Sequence, residues 1–264
     1  MELPRLEPAL TLARAALAAA PAGLLTDLDG TLAPIVPHPP DARALPGAAE
    51  ALVRLASRLG VVAVVTGRAV AEARRILGTD EVLIVGNHGL EWLEPGATEA
   101  AAPVDAAAAE PAIQHALRAV PHEAGVTLED KRLSATVHFR NAADPAAAER
   151  RIREALETAA VPGVALRPGR MSLELRPAAA GDKGTAVRAL AGRHGLRGVV
   201  VLGDDVTDLD MFRAARDLRS AGVTAAVLGV GAGDEVPAAV AAEADALLPD
   251  PAAVVQLLRE LSAD

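Results

Sequence analysis

Leu24-Leu25-Thr26-Asp27-Leu28-Asp29-Gly30-Thr31-Leu32 is the stretch on which the reading of this chain turns. A short apolar run ends in two carboxylates, followed by a glycine that lets the chain turn and by a threonine. Runs of the same kind recur at Val61–Thr66, Val82–Gly86, Gly198–Gly203 and Val223–Leu228, each ending in polar or glycine-rich sequence. They are too short for helices and rich in Val, Leu and Ile without strict alternation, which is the pattern of strands buried on both faces. Helix-like stretches, Ala48–Leu59, Ala69–Leu77 and Thr185–His194, lie among them. Alternating strand and helix predict an α/β fold with a Rossmann-like parallel sheet core and right-handed crossovers. In such sheets ligands gather beyond the C-terminal ends of the strands, so function is sought in the residues just past each strand.

The middle of the chain breaks this rhythm. A low-complexity Ala/Pro/Glu segment, Pro95–Glu110, reads as a linker running into a helix that ends near Val120. Strand-like Val126–Glu129 and Ser134–Phe139, a helix over Pro145–Ala159, and strand-like Val164–Arg167 and Ser172–Arg176 come next. Helix-strand-strand-helix-strand-strand is an antiparallel α+β pattern set inside an α/β chain. The expected division is a core of residues 1–95 and 178–264 with an inserted α+β cap domain of residues 96–177.

Composition narrows the classes of function. The chain has 264 residues, no cysteine, and 26 Lys+Arg against 35 Asp+Glu, a formal net charge of −9. Disulfides and thiolate sites are excluded. Negative charge argues against a nucleic-acid partner, and any anionic substrate would need locally placed cations. No run approaches the eighteen or so apolar residues of a membrane span. The apolar stretch Ala9–Ala20 is expected to be a first helix and not a leader peptide, because Glu2 and Glu7 outweigh Arg5 and Arg14 splits the run. The expected location is the cytoplasm. Nothing in the pattern demands a second chain, so a monomer is compatible with it.

Chemistry concentrates after the strands. A strand-end aspartate, Asp27, can attack phosphorus and form an aspartyl-phosphate; Asp29, further round the turn, can protonate the leaving oxygen and later activate water. Asp-x-Asp-Gly also opens calcium loops, but Thr31-Leu32-Ala33-Pro34 offers almost no further oxygen ligands. Thr66-Gly67-Arg68 combines a strand-end hydroxyl, a flexible glycine and helix-start amides, the makings of a small anion site. Only two of the 26 basic residues are lysine, Lys131 and Lys183; where arginine is so favoured, a retained lysine suggests a compact point charge. Gly203-Asp204-Asp205-Val206-Thr207-Asp208 places three carboxylates at a strand end, where mutual repulsion calls for a cation. Oxygen-only ligands favour Mg²⁺ over Zn²⁺.

Electrostatics connects these parts. A carboxylate approaching a phosphate to ~4 Å meets roughly 4 kcal/mol of repulsion per charge pair at an effective dielectric of about 20. Mg²⁺ held by Asp27, the Asp29 carbonyl and Asp204, together with Lys183, would cancel that repulsion and keep Asp27 ionised.

Asp27-Leu28-Asp29-Gly30-Thr31, Thr66-Gly67-Arg68, Lys183 and the Asp204–Asp208 run resemble, in order, the four motifs of the haloacid dehalogenase superfamily of phosphatases. Only a short link comes after Asp29, so the insert occupies the later of that family's cap positions. More closely, Glu129-Asp130-Lys131, Val137-His138-Phe139-Arg140, Glu174-Leu175-Arg176-Pro177, Gly86-Asn87-His88-Gly89 and Thr207-Asp208-Leu209-Asp210-Met211-Phe212 are similar to signatures of the trehalose-6-phosphate phosphatases. The resemblance implies Mg²⁺-dependent hydrolysis of trehalose 6-phosphate within trehalose biosynthesis. It implies Asp27, Asp29 and Lys183 in catalysis and Thr66, Gly67 and Arg68 on the phosphate. The sugar hydroxyls would then be bound by Glu129, Lys131 and Glu174, and the metal by Asp27, Asp29, Asp204, Asp205 and Asp208. Leu209 stands where the family usually has an acid. Two alternatives stay open: another sugar-phosphate phosphatase, acting on sucrose phosphate or a glycosyl-phosphoglycerate, and a non-catalytic subunit of a trehalose-synthesis complex.

Overall fold

A computed structural model of the chain describes residues 6–102, 107–169, 171–233 and 236–263. Part of the expected linker, residues 103–106, lies outside the described residues. The chain separates into two compact units, Met1–Ala101 with Gly181–Asp264, and Ala102–Ala180.

The first unit is built on a seven-stranded sheet. Its strands are β1 (Ala22–Thr26), β2 (Val61–Val65), β3 (Leu83–Gly86), β4 (Glu91–Leu93), β9 (Gly198–Gly203), β10 (Thr224–Val230) and β11 (Ala246–Leu248). They lie side by side in the order β11-β10-β9-β1-β2-β3-β4. All neighbours pair parallel except β3 with β4. Helices α1 (Glu7–Leu17), α2 (Ala48–Ala56), α3 (Val70–Leu77) and α9 (Pro251–Ala263) cover one face. The other face carries α6 (Lys183–His194), α7 (Leu209–Ser220) and α8 (Ala238–Glu243). Alternate residues of each strand feed the two cores: Leu24, Val62, Val64, Val200 and Leu202 point one way, Leu25, Ala63, Val65, Val199 and Val201 the other. With apolar layers on both sides there is no polar face, which is why these strands read as unbroken Val/Leu/Ile runs.

Strand β1 lies between β2 and β9, so the chain winds outward from it in both directions. Such a reversal opens a crevice beyond the carboxyl ends of the central strands. Asp27, Thr66, Asn87 and Asp204 each stand directly after or at the end of one of β1, β2, β3 and β9.

The second unit has the order α4 (Glu110–Ala119), β5 (Thr127–Asp130), β6 (Ala135–His138), α5 (Pro145–Ala159), β7 (Val164–Gly169) and β8 (Ser172–Pro177). Its antiparallel sheet runs β5-β6-β8-β7. One face packs Ala135, Val137, Leu173 and Leu175 against Ile113 and Leu117 of α4 and Ala148, Ile152 and Leu156 of α5. Pro145 opens α5, and the Asp144 side chain caps it by accepting from the Ala147 amide.

Candidate active site

The turn after β1 is tied at both ends. The Asp27 amide donates to Leu202 O at 2.9 Å, carrying the β1–β9 ladder one residue further. Leu28 O accepts from the Leu32 and Ala33 amides, both at 2.8 Å, and the Gly30 amide donates to Ala33 O at 2.7 Å. Leu28, Leu32 and Ala33 are fully buried, so apolar packing anchors the turn from beneath. Gly30 has φ +78°, and a Cβ there would lie 2.0 Å from Asp204 Oδ2. Only glycine lets this turn close onto that carboxylate. Thr31 Oγ1 reaches Asp204 Oδ1 at 3.4 Å.

Lys183 arrives at the first residue of α6. Asp182 and Thr185 form a capping box that fixes this helix start. The Lys183 ammonium is 3% exposed and donates to Asp27 Oδ1 at 2.6 Å and Asp208 Oδ1 at 2.7 Å. Asp208 is fully buried. Its other oxygen accepts from the Asp204 and Asp205 amides at 2.9 and 3.1 Å, which folds the loop after β9 around it.

Oxygens of Asp27, Asp204 and Asp208 all lie within 4.8 Å of one another. Three carboxylates, two of them buried and one half-buried, thus cluster around one ammonium. Burial, then repulsion from Asp208 and Asp204, outweighs Lys183 and pushes the Asp27 carboxyl well above its ordinary range. Burial and Asp208 raise Asp204 to about 7. Lys183 is driven down by burial, but the Asp208 and Asp27 carboxylates outweigh that and raise it, so it stays protonated. One ammonium therefore offsets only part of the cost of ionising Asp27. The excess negative charge and an all-oxygen donor set suit a hard divalent cation, so these residues can hold a metal ion.

Of the five acids read as metal ligands, Asp205 directs its carboxylate elsewhere, and Asp29, expected to offer its backbone carbonyl, has its carboxylate held by an arginine. Asp205 is exposed and accepts from the Val206 amide at 2.6 Å, serving the short helical turn Val206–Asp208. Asp29 is gripped by Arg68, with Nε to Oδ2 at 2.8 Å and Nη2 to Oδ1 at 2.7 Å. Leu209 lies buried in the core between sheet and helices.

The Thr66-Gly67-Arg68 loop is held by contacts within the first unit. Thr66 is buried, and its Oγ1 accepts from the Arg68 amide at 3.2 Å. Gly67 is the seat of the His88 ring, whose Nε2 would stand 2.5 Å from a Cβ at that position. Arg68 Nη1 bonds Glu72 and, at 3.1 Å, Pro39 O. The first amide of α3, on Val70, donates to the buried Glu91 carboxylate at 3.0 Å, so it is already capped. Glu91 lies in β4, where no local spacing announces a cap for a helix that starts 21 residues earlier. Glu72, in the first turn of α3, stands only four residues after Arg68, so this pairing is local in sequence.

In the second unit, register places Glu129, Thr136, Glu174 and Arg167 opposite one another across all four strands. Leu173 and Leu175 point to the core, so this row occupies the other face. Glu129 meets His138 Nε2 at 3.0 Å and Lys131 Nζ at 3.7 Å. The three residues expected to bind sugar therefore share one polar sheet face and its adjoining hairpin.

The family model described as trehalose-phosphatase matches residues 25–242. The chain belongs to the trehalose-phosphatase family. A trehalose-phosphate phosphatase of Mycobacterium avium (strain 104) is 35% identical over 249 residues, covering 90% of this chain and 63% of that relative. A protein of Mycobacterium tuberculosis (strain H37Rv) described as an uncharacterized glycosyl hydrolase is 38% identical over 208 residues, covering 72% of this chain but 15% of its own length. The chain thus spans less than two thirds of these relatives. Among solved structures, the C-terminal domain of a Candida albicans trehalose-6-phosphate phosphatase superposes with a TM-score of 0.73 at 24% identity, over 96% of both chains. That likeness shows the family's fold. Among the described residues no helix is long and apolar enough to cross a membrane.

Proposed function

We propose that this protein is a Mg²⁺-dependent phosphatase that hydrolyses trehalose 6-phosphate to trehalose and phosphate. In this reading it acts in the cytoplasm within trehalose biosynthesis. The observation that carries the reading is the buried constellation of Asp27, Lys183, Asp204 and Asp208 beyond the central strands. Residues 1–95 and 178–264 act as the hydrolase core and residues 96–177 as its cap.

Asp27, Asp204 and Asp208, with the Asp29 carbonyl, would hold the ion, which supplies charge neutralisation for a nucleophile and a phosphate that repel each other. Asp27 attacks phosphorus; as that P–O bond forms, the bond to the sugar oxygen breaks and Asp29 gives this oxygen its proton. Water then attacks the aspartyl-phosphate, returns a proton to Asp29 and frees phosphate and the Asp27 carboxylate. Lys183 stabilises the transferred group, and the Thr66 hydroxyl and Gly67 amide would add hydrogen bonds to it from the loop after the neighbouring strand. Glu129, Lys131 and Glu174 select the sugar through hydrogen bonds. With aromatic residues at 1% of the chain, ring stacking contributes little.

Phosphate release from trehalose 6-phosphate, glucose 6-phosphate and sucrose phosphate, with Mg²⁺ and with chelator, tests this. Fast release from the first alone, lost on chelation, is expected. Equal rates on all three would defeat the substrate assignment, and no release from any would defeat the phosphatase assignment. Lys131→Ala is expected to erode the preference among the three esters by about tenfold, the worth of one lost polar contact. Unchanged selectivity would remove Lys131 from the sugar site.

A further inference from the structure

Arg68 is engaged through all three of its side-chain nitrogens. Its Nε and Nη2 hold both oxygens of Asp29 in a parallel fork at 2.8 and 2.7 Å. Its Nη1 is shared by Glu72 and the Pro39 carbonyl. Two carboxylates on one guanidinium leave a negative local balance, which repels a phosphate dianion approaching there. The stem is as firmly placed as the head. The Arg68 amide donates to Thr66 Oγ1 at 3.2 Å, and its carbonyl accepts from the Asn87 amide at 2.7 Å. Asn87 and His88 adopt positive φ, 53° and 57°, directly after β3. Asparagine and histidine are among the non-glycine residues that enter that region most readily, which suits them to this tight turn. A little further along, Glu91 caps α3. The loop after β2 is thus pinned to the loop after β3, and the rigid arm it carries ends on Asp29.

We propose that Arg68 is a positioning residue for Asp29, seated by Glu72 and Pro39 O, and not a ligand of the transferred phosphate. The inference rests on the phosphatase reading, in which Asp29 passes the proton to and from oxygen. A bidentate fork fixes both the plane and the rotation of a carboxylate. An acid–base group misplaced by about 1 Å loses on the order of 10² in rate. Lysine cannot replace the fork, because a single ammonium does not make two parallel bonds.

The test is steady-state kinetics on trehalose 6-phosphate with Arg68→Ala, Arg68→Lys, Asp29→Ala and the double variant Arg68→Ala/Asp29→Ala. Melting temperatures check that each is folded. Arg68→Ala is expected to lower kcat by about 10- to 100-fold, with KM and the inhibition constant of inorganic phosphate unchanged within about threefold. Arg68→Lys should fail to restore kcat. In the Asp29→Ala background, removing Arg68 should cost less than about threefold more, because its effect runs through the missing residue. A rise of about tenfold or more in KM and in the phosphate inhibition constant, or losses that multiply in the double variant, overturns the proposal. A wild-type protein inactive on every sugar phosphate defeats the phosphatase reading instead. Calorimetry with inorganic phosphate then decides the role of Arg68: unchanged binding by Arg68→Ala sustains it, and roughly tenfold weaker binding overturns it.

Discussion

Asp27 is costly to ionise where it stands. Burial and two neighbouring carboxylates raise it, and Lys183 compensates only in part. A group that is reactive because it is charged, in a place that resists the charge, separates activity from stability. Asp27→Asn keeps an acceptor for Lys183 while removing one negative charge from the cluster. It is expected to abolish turnover by at least about 10³-fold while leaving the chelated protein as thermally stable as the wild type, or more so, near pH 8. Retained turnover would exclude Asp27 as nucleophile; a large drop in melting temperature would show that its charge stabilises the cluster. Gly30 supplies the complementary case. A methyl group there would sit inside the Asp204 carboxylate on a backbone with φ +78°. Gly30→Ala should therefore move Asp204 and weaken Mg²⁺ binding by more than about tenfold, measured by calorimetry. Unchanged affinity would take Asp204 out of the ion's site.

The elements that carry these residues differ in how openly the chain announces them. Strands β1, β2, β3 and β9 are buried on both faces, and their composition says so directly. The start of α6 is equally plain, since Asp182 and Thr185 stand three apart around Lys183. By contrast, β4 and β11 are three residues each, too short to show any period, and exist because a longer strand offers them an edge. The same holds for side chains. Convergence of Asp27, Lys183 and Asp204 stems from their places at strand and helix ends. The Arg68–Asp29 fork spans 39 residues and the Glu91 cap 21, and both depend on a register that no local spacing encodes. That cap gives the element its own prediction. Glu91→Ala would leave a buried amide of α3 without its acceptor, and should lower stability by about 1–3 kcal/mol in denaturant unfolding. Glu91→Gln, which still offers a carbonyl oxygen, should cost less. Equal losses would mean that charge at the helix terminus, and not the hydrogen bond, is what Glu91 supplies.

Across the molecule, the acid cluster couples folding, pH and metal binding. Asp204 moves from its ordinary 3.8 to about 7 in the folded chain, and Asp27 is raised as well. Between about pH 4 and pH 7 the folded protein therefore holds protons that the unfolded chain has already released. Stability then falls as pH rises through that window, because the unfolded state is the one binding fewer protons. A divalent cation in the cluster takes the place of those protons, so its binding competes with them and strengthens as pH increases. The rise in melting temperature on adding Mg²⁺ should consequently be small near pH 5 and several degrees near pH 7.5, in line with the mass-action gain of a ligand bound only by the folded state. Chelated protein should show the opposite trend, melting lower near pH 7.5 than near pH 5. A Mg²⁺ increment that is equal at both pH values, or larger at the acidic one, would mean that the ion binds elsewhere and that the buried carboxylates are balanced by protons alone. The same titration on Asp204→Asn should lessen both trends, because that variant loses one of the two raised carboxyls and its share of the excess charge while Asp27 remains.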